Sequence, residues 1–413
     1  MEKKLINNRL SKDYMLLLTI IMYAVYAIKC VWLAFAYVEY SPLFYYIMLI
    51  PVGLCLPLGI ITIINQKKIN IQNKWMLILP FVYFLFNVLH SYQDLDIVSE
   101  CFTLIVITSF VLFSSQIKIG VFDVFYWTIQ VLNIFSIIIF ILYLFSINIG
   151  FEIVPYYANS YANYVKWFVF AIYRSRNELR LCGIFNEPGA LGTVCALLFA
   201  ARFNYSKLWE KIIIIITITI TFSLAGYIIV FIYLSLYAIK KNKRNIIFVM
   251  LFLALFISLP LIDWNNEIIN SFFSRFAVTK TGLAGDNRTN IAFDQMFYAL
   301  CNGNDKWLGY GCNYPLPDGV LTYKSYIVEY GFIGFILWMF IWIRAALKES
   351  KLNRYCLLFI GCFLISLYQR PRLISSIYGY VLLFGGIEWI KSQDKHNIED
   401  EKIPSNMNKK HEA

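Results

Sequence analysis

Three short stretches of this sequence combine arginine with groups that could bind or act beside a phosphate. Arg174, Arg176 and Arg180 lead directly into Leu181-Cys182-Gly183-Ile184-Phe185-Asn186-Glu187-Pro188-Gly189-Ala190-Leu191-Gly192. Arg275, Arg288, Lys306 and Lys324 fall in a second stretch, and Gln369-Arg370-Pro371-Arg372 forms a third. The guanidinium fork binds phosphate oxygens in pairs and keeps its charge at any physiological pH. Arginines converging from distant stretches would therefore suit a pyrophosphate. The plainer reading leaves them on lipid headgroups or paired with Glu178, Asp286 and Asp294, with Arg174 an ordinary interfacial residue.

Within the first stretch, Pro188 and Gly189 predict the opening turn of a helix, since Pro tolerates that position. The free N–H groups of such a turn attract anions. Glu187 beside it could accept a proton from an attacking hydroxyl; it could equally cap the helix or pair with Arg180. The spacing of Gly183, Gly189 and Gly192 predicts close helix packing. Glu329 stands in an apolar segment, where an acidic group is costly and marks a functional site by default. Its place near the outer end leaves simple hydration as the alternative. Lys324 and His90 are further polar candidates, although a lone His at a segment end is ordinarily interfacial.

The elements that must position these groups follow from composition. Of 413 residues, 60% are hydrophobic and 15% charged, against roughly 45–50% and about 25% in soluble domains. The excess is arranged in blocks that approach the ~20 residues needed to cross a bilayer. The reading is all-α: a polytopic membrane protein of about twelve spans in a single domain, 1–390, followed by a polar, disordered cytoplasmic tail, 391–413. The spans are 14–38, 43–64, 75–90, 97–115, 121–147, 189–203, 208–222, 225–239, 246–262, 325–347, 354–369 and 373–390. The basic start, with Lys3, Lys4, Arg9 and Lys12, precedes an apolar run longer than a signal-peptide core of ~7–15 residues, so it reads as a retained first span.

Splitting the apolar run 212–239 at Ser223-Leu224-Ala225-Gly226 decides the topology. With that break, Lys67/Lys68/Lys74, Lys118, Arg202/Lys207/Lys211, Lys240–Arg244 and Arg344–Arg354 all share a side with both termini, as cytoplasmic loops should. The basic balance is then a topology signal and implies no nucleic-acid partner. Two outer loops remain, about 148–188 and 263–324, too long for simple connectors. The aromatic run 156–168 in the first would lie along the outer headgroup interface. Most cysteines fall in apolar blocks as small hydrophobes; Cys301 and Cys312 could form a loop disulfide. No cysteine or histidine cluster suggests a metal.

Arg180-Leu181-Cys182-Gly183-Ile184-Phe185-Asn186-Glu187-Pro188-Gly189 resembles the stretch with which members of the O-antigen polymerase/ligase family, the Wzy-type polysaccharide polymerases, enter a span after a long outer loop. Trp307-Leu308-Gly309-Tyr310-Gly311 followed by Glu329-Tyr330-Gly331-Phe332-Ile333-Gly334 is similar to a second family signature, and Tyr368-Gln369-Arg370-Pro371 to a third. The resemblance implies glycosyl transfer at the outer leaflet of the cytoplasmic membrane, without metal or other cofactor. Undecaprenyl-pyrophosphate-linked glycans would be donor and acceptor, and a flippase and a chain-length regulator would be partners. Carried over by position, Arg180, Arg275, Arg288 and Arg370, with Arg176 beside them, are pyrophosphate ligands; Glu187 is the base, and Arg288 stands with it as catalytic. Ligase-type relatives often carry a histidine ahead of the second signature, and none stands between Val320 and Glu329. A ligase-like or other lipid-dependent glycosyltransferase, or a lipid-linked oligosaccharide flippase, are the alternatives; the scarcity of charge at mid-membrane weighs against a transporter.

Overall fold

The computed structural model describes residues 2–30, 42–66, 74–92, 96–155, 162–175, 178–242, 246–247, 250, 278–279, 282–283, 291–317 and 322–394. Apolar blocks between polar punctuation wind into α1 (Glu2–Lys29), α2 (Pro42–Asn65), α3 (Lys74–Leu89), α4 (Ile97–Leu112), α5 (Ser115–Leu144), α6 (Pro188–Arg202), α7 (Leu208–Thr221) and α8 (Leu224–Lys241). After them come α9 (Ile291–Asn302), α10 (Tyr323–Ser350), α11 (Arg354–Gln369) and a last helix, α12, over 377–394 whose turn Val381–Gly385 is π-wound. Every predicted apolar block but one overlaps a helix, although residues 31–38 of the first block, 14–38, lie outside the described residues. The exception, 246–262, lies almost wholly outside the described residues.

Length separates these helices. Among the described residues, α5 and α10, of 30 and 28 residues, are long and apolar enough to cross a membrane. At about 1.5 Å per residue α5 reaches beyond 40 Å, whereas non-helical backbone at Gly331 divides α10 into two shorter parts. By contrast α3, α4, α6, α7 and α11 run only 14 to 16 residues, short of the ~20 that a perpendicular span requires.

The predicted break holds. Phe222 adopts a left-handed conformation (φ 47°) that ends α7, and the Ser223 hydroxyl then accepts from the Gly226 N–H to cap α8. This side-chain acceptor satisfies one of the donors that a helix start leaves open.

Four expectations need correction. The fold is mostly helical but not all-α, because the first long loop folds into an antiparallel meander of β1 (Glu152–Pro155), β2 (Ala162–Trp167), β3 (Phe170–Ser175) and β4 (Leu179–Gly183). The latter part of the aromatic run is strand β2, in which Tyr164 pairs with Tyr173 and Val165 with Ile172. Cross-strand pairs of aromatic and β-branched residues stabilise such a sheet, so those side chains pack on protein. A second, two-stranded pair joins β5 (Val278–Thr279) to β6 (Gly282–Leu283). Lys118, expected in a loop, is buried in the opening turns of α5. The polar tail begins later than predicted: helix α12 runs on to Asp394, where Lys391 pairs with Glu388 at 2.8 Å and Asp394 accepts from Tyr205 and Asn353. Residues 395–413 lie outside the described residues.

Helix α6 occupies the centre. All its residues from Pro188 to Ala201 are buried, as expected of a helix that is apolar all round. It packs on α7, α8, α11 and β4, while α10 joins α11 to α3. Its small residues let neighbours approach closely. At Gly192 a Cβ would stand 2.3 Å from Ser223 Cβ, so the α7–α8 break seats directly on the first turns of α6.

Candidate functional site

Strand β4 delivers the chain to the mouth of α6. Tyr164, on β2, donates its hydroxyl to the Asn186 carbonyl and fixes the connection. Glu187 then takes the N-cap position with extended backbone, and Pro188 follows as the first helical residue. The Glu187 side chain makes no cap bond to the helix. Its Oε1 instead meets Arg370 Nη1 at 2.6 Å, and Arg370 Nε reaches Thr193 Oγ1 at 3.4 Å. Both charged side chains are mostly buried, 11% and 19% exposed, where such a charge-assisted bond is strong.

Arg180 approaches the same turns from the other side. Its Nε donates to the Thr221 carbonyl at 2.9 Å and its Nη2 to the Phe222 carbonyl at 3.1 Å, while Nη1 lies 3.8 Å from Glu178. These carbonyls are C-terminal acceptors of α7, where a cation is favoured. Arg180 thus clamps the helix break, and the break in turn packs on Gly189 and Gly192. Glu187, Arg370 and Arg180 all gather around the first two turns of α6.

The two parts of the second signature meet one another. Tyr310 N–H donates to the Val328 carbonyl at 2.7 Å and Gly311 N–H to the Glu329 carbonyl at 3.0 Å. The contact is possible because Gly331 takes φ 66° and interrupts α10; a Cβ there would stand 2.3 Å from the Trp307 carbonyl oxygen. His90 lies within hydrogen-bond reach of the Gly309 carbonyl at 3.2 Å, and its own carbonyl accepts from Cys312. Lys324 pairs with Asp294 at 3.0 Å. Both residues are engaged in holding this loop and helix together.

Glu329 is buried at the end of the first part of α10, and its Oε1 lies 3.8 Å from Arg372 Nη2. Arg372 itself is 62% exposed. Arg370 and Arg372, on either side of Pro371, thus reach to carboxylates on different helices. Arg176, Arg275 and Arg288 lie outside the described residues.

Sequence reasoning passed over a buried polar hub. Asn87, on α3, donates to Glu100 at 3.1 Å, accepts from the Tyr330 hydroxyl at 2.9 Å, and offers its carbonyl to the Cys312 thiol. The available signal was polar residues standing within apolar blocks. All nine cysteines are free, Cys301 and Cys312 included. Burial pushes the Cys182 and Cys312 thiols up, so neither supplies a thiolate at neutral pH.

No protein-family model matches this chain, nor does any curated protein or solved structure. The geometry and the sequence motifs therefore carry the functional reading.

Proposed function

We propose that this chain is an integral membrane glycosyltransferase that joins polyprenyl-pyrophosphate-linked oligosaccharide repeat units at the outer face of the cytoplasmic membrane. The observation that carries the reading is the meeting of Glu187 and Arg370 at the mouth of α6, with Arg180 on the adjoining break. Two of the three motif stretches thereby supply one cluster of a carboxylate and two guanidinium groups.

In this reading an acceptor sugar hydroxyl attacks the anomeric carbon of the donor. The bond from that carbon to the pyrophosphate oxygen breaks, and its electron pair leaves with the pyrophosphate. Glu187 takes the hydroxyl proton, which makes the oxygen a better nucleophile. Nearby arginines stabilise the charge that develops on the leaving group, the form of help that often dominates such catalysis. Arg370, 2.6 Å away, holds Glu187 oriented until the acceptor arrives.

A membrane setting is supported by α5, whose Val131, Ile134, Phe135, Ile138 and Ile141 form an exposed apolar stripe of the kind that lipid would cover. Twelve spans with both termini inside remain the layout that best orders the basic loops, with the bilayer thinned at the shorter helices or those helices paired or partly re-entrant.

The test is reconstitution. Purified protein given a synthetic undecaprenyl-pyrophosphate repeat unit is expected to yield a ladder of products, and Glu187→Gln to abolish it at a temperature where that variant is still folded. Absence of a ladder with every matched repeat unit would overturn the proposal; transport of the unit without bond formation would favour a flippase.

A further inference from the structure

Between the outer halves of α10 and α11 lies a half-open groove of about 250 Å³. Tyr326, Phe335, Met339, Leu364 and Leu367 line it, with Pro371 at its head. Tyr323 and Tyr368 also border it, their rings 5.1 Å apart. The lining is nearly all apolar, yet the groove ends on the one turn of the described chain that carries two arginines. Arg370 points from that turn to Glu187, and the exposed Arg372 stands beside Glu329, one helical turn beyond Tyr326.

An apolar slot headed by an exposed cation matches an amphiphile with an apolar chain and an anionic head. The volume falls below the ~300–1,000 Å³ typical of sites for drug-sized ligands, so the groove suits one chain rather than the two of a phospholipid. Its head, Pro371, stands between Arg370, which pairs with Glu187, and Arg372, which stands by Glu329. We infer that the groove seats the phosphate-proximal prenyl units of the lipid carrier, with Arg372 engaging the phosphate. The inference deepens the reading above and rests on the carrier being prenyl-linked.

The experiment uses the full chain in nanodiscs with a diazirine-bearing polyprenyl phosphate that carries no sugar. Photolysis is expected to attach the probe within 323–339 and 364–371. Excess unlabelled polyprenyl phosphate should remove the adducts several-fold, and excess phosphatidylglycerol should not. Leu364→Trp fills the groove and should block labelling; the exposed Arg372→Gln should weaken it without disturbing the fold. Adducts confined to other faces, or equal competition by phosphatidylglycerol, would overturn the inference. Groove labelling by a protein that polymerises no matched unit upholds the binding site and removes the catalytic reading. Equal KM for the lipid-linked unit in wild type and Leu364→Trp, with polymer formed by both, overturns the groove alone.

Discussion

Arg370 Nη1 lies 2.6 Å from Glu187 Oε1 across 183 residues of sequence, and this one contact ties the end of α11 to the start of α6. The pair is enclosed on most sides, so each charge depends on the other. A buried charge left without its partner is strongly unfavourable, whereas replacing both partners by neutral groups is often tolerated.

Arg370→Met is therefore expected to destabilise the protein by about 2–3 kcal/mol, discounted from the ~3–5 kcal/mol of a fully buried pair. The double variant Glu187→Gln/Arg370→Met should regain much of that loss. Denaturation in detergent would read both values. Activity should behave differently, falling by roughly 10²-fold or more in the single and the double variants if the pair acts on the reaction. Activity that returned together with stability would reduce the pair to a structural tie.

Gly331 provides a sharper test of packing. Its φ of 66° and the Trp307 carbonyl leave no room for a side chain. Gly331→Ala should cost more than the ~1–3 kcal/mol of backbone strain alone and should loosen the seam between 307–311 and Glu329. Gly361 is the control, since a Cβ there meets nothing within 4 Å. In α11, Gly361→Ala should stabilise by up to about 1 kcal/mol. Melting curves that rank the two variants the other way would contradict the geometry.

Helix positions were legible in the sequence because apolar blocks must end where charge or turn residues begin. The Ser223–Gly226 break could be read because an unbroken helix would have put Lys240 to Arg244 on the wrong side. The β-meander was missed for a physical reason: Tyr and Trp serve equally in a membrane interface and in a half-buried strand, and pairing partners decide between them. At the site, the arginines and Glu187 were visible by type, but which carboxylate met which arginine was not. Glu187 pairs with Arg370, while Arg180 turns to the carbonyls of Thr221 and Phe222, an arrangement set by how α7 ends. Lys324 and His90 stood out as charge and imidazole near a membrane surface, yet their partners, Asp294 and the Gly309 carbonyl, come from helix α9 and the loop that follows it.

Asn87 joins groups that no sequence motif connects. Asn87→Leu would leave Glu100 and the Tyr330 hydroxyl each short of a partner inside the protein. Loss of one partner from a buried polar group costs about 1–3 kcal/mol, so the variant should melt earlier and expose the 309–312 loop to hydrogen exchange. Adding Tyr330→Phe to Asn87→Leu should recover part of the loss, because the stranded hydroxyl goes with it. Purely additive losses in the double variant would show that the two side chains do not interact.

Sidedness decides whether the arginine cluster faces the outer leaflet. Phe168, at the tip between β2 and β3, is 65% exposed, and Leu352, between α10 and α11, is 69% exposed. Short cytoplasmic loops carry the excess of Lys and Arg, and Lys348, Lys351 and Arg354 surround Leu352. In a background lacking native cysteines, Phe168→Cys and Arg372→Cys are expected to react with a membrane-impermeant maleimide in intact cells. Leu352→Cys should react only after permeabilisation. Phe168→Cys reports on the sheet that leads to Glu187, and Arg372→Cys on the turn that carries Arg370. Labelling of these two positions from opposite compartments would be incompatible with a shared site, however close the side chains stand in the fold.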